Sequence, residues 1–108
     1  MQINCSLLPW PIIMEQDGFN GSPRVEDVFN SIYVSLWKLA SSVDLQRETM
    51  ERQRRIQKEY VRRCRQLSLD EESDGLKRID FLEGQTIFLG LFPGNWDDEW
   101  ILHLGQGR

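Results

Sequence analysis

Apolar residues between positions 25 and 39 recur at helical spacing. Val25, Val28, Phe29, Ile32, Leu36 and Leu39 lie three or four residues apart, which places them on one broad face of a helix ending near Ala40. Ser22 is a good N-cap for it, Pro23 suits the first helical position, and Glu26 and Asp27 bring negative charge to the first turn. Ser41, Ser42 and Asp44 offer the next start signal. From there a second, longer helix is predicted to about Leu67, with a stripe of Leu45, Thr49, Ile56, Tyr60, Cys64 and Leu67 that Gln53 interrupts.

Beyond the second helix the period changes. In LKRIDFL (76–82) Ile79 and Phe81 fall on one side and Leu76, Arg78, Asp80 and Leu82 on the other, as in a strand. Glu83-Gly84 fits a two-residue hairpin turn into TIFLGL (86–91), whose faces divide into Ile87, Leu89 and Leu91 against Phe88 and Phe92. After FPGNWDDE, the segment WILHL (100–104) reads as the last strand of an antiparallel meander. The segment LLPWPIIM (7–14) is apolar, but its two prolines remove ladder donors, so it is predicted as an edge strand or arm.

The expected architecture is α+β: two α-helices packed on a small antiparallel β-sheet, made of three C-terminal strands and the N-terminal edge strand. At 108 residues one domain is expected, with an arm at 1–22, helices at 23–67, an acidic linker at 68–75 and strands at 76–104.

An ordered set of blocks resembles a known family. LPWPI at 8–12, VEDVFNSIYVSL at 25–36, EYVRRC at 59–64, LKRIDFL at 76–82, TIFLGL at 86–91 and EWILHLG at 99–105 are similar to the domain-of-unknown-function family 6699, found mainly in mushroom-forming fungi. The resemblance runs from about Leu7 to Leu104. It implies the same order of arm, helices and strands, and it implies no catalytic residues, because that family is defined by sequence alone.

Charge sharpens the picture of the second helix. From Asp44 to Gln66 the chain carries a net +4, while the remainder carries −8, giving −4 in total. Arg47, Arg54, Lys58, Arg62 and Arg65 form a candidate basic stripe for nucleic-acid phosphates. The competing reading is a solvated face with intrahelical pairs such as Arg47–Glu51, Glu48–Arg52 and Glu59–Arg63. Arg63 falls on the apolar side instead, where a charge needs a partner, and Asp80 between Ile79 and Phe81 is the candidate.

Candidate chemistry is sparse. The one histidine, His103, lies in the last strand on the face opposite Trp100, Leu102 and Leu104. Two cysteines, Cys5 and Cys64, form no CxxC pair and no zinc set with it. No nucleophile elbow, P-loop or dinucleotide fingerprint is present. The expectation is therefore no enzyme, no cofactor and no metal. The first residues lack a basic n-region followed by an apolar core, and no apolar run approaches about 18 residues. An intracellular protein, cytoplasmic or nuclear, is expected, with no membrane attachment.

Both faces of the predicted sheet are apolar, and several tryptophans flank it. This favours a noncatalytic interaction module that binds protein or a second copy of itself through Trp10, Trp96 and Trp100, with Phe88 and Phe92 as alternatives if that sheet face is open. Nucleic-acid binding through the basic helix is the alternative, and a ligand pocket or enzyme between helices and sheet the second alternative.

Overall fold

The computed structural model describes residues 1–14, 24–67 and 75–106. The expected cap at Ser22, the first helical position at Pro23 and all but the last residue of the acidic linker lie outside the described residues. The chain divides into two compact units, residues 1–35 with 85–108, and residues 36–84. Among the described residues, three α-helices and a four-stranded mixed sheet make it an α+β protein.

The first unit is built on the sheet. β1 (Gln2–Asn4), β2 (Ile12–Ile13), β3 (Ile87–Pro93) and β4 (Glu99–Gly105) lie side by side in the order β2-β1-β4-β3. The prolines at 9 and 11 stand just before β2, which forms one sheet edge, as a donor-poor segment should. β1 runs antiparallel to β2 but parallel to β4, pairing Ile3 with Ile12 on one side and Trp100 on the other. The expected antiparallel sheet is thus corrected to a mixed one. The first three-residue strand was not anticipated, because its parallel partner lies almost a whole chain length away.

The helix of this unit, α1 (Val25–Leu36), ends four residues before the expected Ala40. Its start is tied locally, with the Arg24 N–H donating to the Asp27 carboxylate at 3.2 Å. Val28, Ile32 and Ser35 are buried, whereas Val25 is 71% exposed and Phe29 is exposed apart from an edge contact with Phe88 at 4.9 Å between ring centres. The face turned inward is therefore narrower than the apolar stripe. Leu39, expected on that same helix, stands instead in an isolated bridge with Lys77.

In the second unit the expected long helix is two. α2 (Ser42–Gln46) is capped by Ser41 in a reciprocal box with Asp44, and α3 (Met50–Gln66) by Thr49, whose hydroxyl accepts the Arg52 N–H at 3.2 Å. Thr49 therefore starts a helix and is no part of an apolar stripe. Gln53, the interruption in that stripe, donates its side-chain amide to the Glu48 carbonyl at 2.9 Å and so satisfies an acceptor at the break. Ile56 and Cys64 of α3 are fully buried, while Leu67 just beyond it is exposed.

Residues 76–82 are not a strand. Arg78–Leu82 forms a 3-10 helix in which Asp80 accepts the Lys77 N–H at 2.9 Å, the Asp80 N–H donates to the Lys77 carbonyl and the Glu83 N–H to the Asp80 carbonyl. These bonds coil the chain, and three consecutive residues, Asp80, Phe81 and Leu82, are buried. Glu83 and Gly84 both adopt positive φ and close this helix; they make no hairpin. The three-strand meander is corrected accordingly to the single hairpin β3–β4.

Candidate functional site

A four-stranded sheet has two faces, and the register of β3 against β4 decides which side chains share each. Phe88 pairs with Leu104, Leu91 with Leu102, Phe92 with Ile101, and Gly90 with His103, with a register shift between Phe88 and Gly90. The extra residue at this bulge is Leu89. Gly90 adopts φ +156°, and a side chain there would meet the Phe92 ring. The shift exchanges the faces expected for the end of the strand: Leu91 joins Phe88, and Phe92 joins Ile87. Simple alternation misses this, and Gly90 is its only trace in the sequence.

One face carries Ile3, Ile12, Leu102 and Phe88, the first three buried, and Phe29 of α1 packs beside Phe88. The opposite face stays open. Ile87, Leu89 and Phe92 are 48%, 62% and 52% exposed there, and the would-be side chain of Gly105 would touch Leu89. His103 is exposed on this face, with its ring edge-on to Phe92 at 4.9 Å. Ile101 is half-buried between β1 and β3, and Ile13 on the edge strand is exposed on the same side.

The one carboxylate on this face is internally engaged. Glu99 is buried, accepts the Asn4 side-chain amide at 2.6 Å and accepts the Asn95 N–H at 2.6 Å. Gly94 lies against it so closely that any side chain would overlap the Glu99 carboxylate. This clamp shapes the turn that presents Trp96, which is half exposed. Of the other expected contact residues, Trp10 and Trp100 are partly buried.

The second unit distributes its charges differently. Arg63 is buried and donates two bonds to Asp80, at 2.9 and 3.1 Å, and a third to the Gly75 carbonyl at 3.0 Å. Its guanidinium lies over the rings of Trp37 and Tyr60 at 5.7 and 5.6 Å. The expected pair exists, joining α3 to a 3-10 helix where a strand was expected. Arg52 bridges Glu48 and Glu83 and donates to the Phe81 carbonyl, and Arg55 also pairs with Glu83. Of the expected intrahelical pairs, Glu48–Arg52 forms at 2.9 Å, while Glu59 is met by Arg62 at 3.4 Å and Arg63 turns to Asp80. Arg47 and Glu51 do not pair.

The basic stripe is placed on the outer side of α3, with Arg54, Lys58 and Arg65 exposed and Arg62 half-exposed; Arg47 lies at the end of α2, apart from the others. Cys5 and Cys64 are buried and unbridged. Among the described residues no group of three His, Cys, Asp or Glu is close enough to hold a metal ion, and no helix is long and apolar enough to cross a membrane.

The chain matches the family of unknown function DUF6699 over residues 1–99. It belongs to that family. No curated protein and no solved structure matches this DUF6699 chain. The match spans β1, β2, α1, α2, α3 and β3 and stops at Glu99, the first residue of β4, so α3 and the exposed row of β3 lie within it.

Proposed function

We propose that this DUF6699 chain is a noncatalytic self-association module, whose open sheet face packs on the same face of a second copy. The observation that carries this reading is the exposed row Ile87, Leu89 and Phe92 on β3. A sheet with apolar residues on both faces needs a layer against each, and burial of this row by a copy supplies the missing one. A two-fold arrangement would bring the same residues together from both sides. No charged side chain occurs between Glu83 and Asp97, so like-charged copies meet there without local repulsion.

The bulge at Leu89 favours face packing over strand addition. β3 is a sheet edge, but a bulge twists an edge away from regular pairing, and Pro93 lacks a donor at its end. The same bulge brings the Phe92 ring onto the open face. We take the chain as fungal, in line with the block order of its sequence, and as intracellular, a reducing setting that its unbridged cysteines suit.

Light scattering over a concentration series at low and high salt tests the reading. The expected result is a dimer that persists at high salt and becomes a monomer in Leu89→Lys that keeps the circular dichroism of the folded protein. A strict monomer at every concentration, or a Leu89→Lys protein that still dimerises, would overturn it.

A further inference from the structure

The cations of α3 fall into two groups. Arg52, Arg55 and Arg63 are each joined to carboxylates of their own unit, whereas Arg54, Lys58 and Arg65 meet no carboxylate among the described residues. Arg62 reaches only Glu59, at 3.4 Å. These four unspent or weakly paired cations line an open depression of about 570 Å³, with Gln57 and Val61 among them. Four positive groups within about 16 Å of helix repel one another, and a bound anion would relieve that.

We propose that this depression docks an acidic peptide segment of a partner protein. Its span of about 16 Å is matched by about five residues of extended chain, so carboxylates at alternate positions could meet successive cations. Arginine can hold a carboxylate with two parallel bonds. Val61 offers a small apolar surface and Gln57 a side-chain amide, which suit a peptide carrying an apolar residue among its acids.

Nucleic acid fits less well. No aromatic side chain lines the depression among the described residues, so bases would find no stacking platform. The chain outside the 44–66 segment carries a net −8, which repels a polyanion long enough to leave the helix. Screening limits that repulsion to about 8–10 Å at cellular salt, so a short acidic segment confined to α3 escapes most of it.

Fluorescence anisotropy with a labelled ten-residue peptide holding four glutamates and one leucine tests the proposal, alongside a single-stranded RNA ten-mer. The expected result is peptide binding that weakens at least tenfold from low to high salt. Arg54→Glu with Lys58→Glu should weaken it tenfold or more. Circular dichroism and melting temperature establish that the charge-reversed protein is folded; if it is not, Arg54→Gln with Lys58→Gln replaces it. Peptide binding that ignores either pair of substitutions, tighter stripe-dependent binding of the RNA, or no peptide binding at millimolar concentration would each overturn the proposal.

Discussion

The unit formed by residues 36–84 and the unit formed by 1–35 with 85–108 settle their buried polar groups in opposite ways. The first buries a full ion pair, Arg63–Asp80, and surrounds it with two rings, a backbone carbonyl and the N–H of Lys77. The second buries one carboxylate, Glu99, between neutral donors from Asn4 and Asn95, and leaves apolar side chains on its surface. Charge in the helical unit fixes how α3 meets the 3-10 helix. In the sheet unit the polar clamp fixes only a turn, and the strand beside it remains free to meet something else.

The largest expected effect tests the first half of this contrast. Asp80→Ala leaves the Arg63 guanidinium buried without its counter-charge and removes the acceptor that coils residues 77–80. The loss should be about 3–5 kcal/mol in urea unfolding. Arg63→Met combined with Asp80→Leu should cost far less than the sum of the single changes, because neither charge is then stranded. Additive losses would mean that the two residues stabilise the unit separately, and the contrast between the units would fail.

How legible these features were depends on whether a local rule competes with a distant one. The Arg63–Asp80 partnership could be read from the chain because an arginine on an apolar helix face must find an anion. The setting of Asp80 could not, since LKRIDFL alternates as a strand should. A carboxylate three residues after Lys77 can instead accept that residue's N–H and coil the backbone, and the tertiary anchor at Arg63 holds it there. β1 was hidden because three residues carry almost no period and its parallel partner is distant. The α+β class survived both misreadings, since helices and strands remain in separate runs. In β3, Phe88 and Phe92 were visible as large aromatics, but the bulge that sends Phe92 to the open face and Phe88 to the other was not. Arg54, Lys58, Arg62 and Arg65 share α3 as the sequence suggests, whereas Arg47 falls at the end of α2; that Arg52 and Arg55 pair with Glu83 was not legible, because Glu83 lies far along the chain.

A smaller effect probes the sheet unit. Gly94→Ala would force its methyl group into the space of the Glu99 carboxylate and should cost about 1–3 kcal/mol, the usual range for overpacking. In a Glu99→Ala background the same change should cost much less, because the obstructing side chain is gone. Thermal unfolding of the four proteins measures the coupling. An undiminished penalty in that background would show that the backbone at Gly94, and not the clamp, sets the turn, and the sheet unit would lose its buried carboxylate as an anchor.

The smallest effect separates charge from burial as the source of the difference. Asp44 is a charged cap in the helical unit, yet it faces solvent. The N–H of Ser41, and then its hydroxyl, hold the Asp44 carboxyl below the usual value of 3.8. A carboxyl lowered on folding contributes stability that is present above its unfolded value and is lost as pH falls through the lower folded value. Ser41→Ala removes the hydroxyl and the acceptor for the Asp44 N–H, so the Asp44 titration should move back up and the loss at neutral pH should be about 0.5 kcal/mol. Side-chain carboxyl NMR across an acid titration, with urea unfolding at pH 7, measures both. If this exposed cap cost as much as Asp80→Ala, charge alone would account for the helical unit's stability; a small cost assigns the difference to burial.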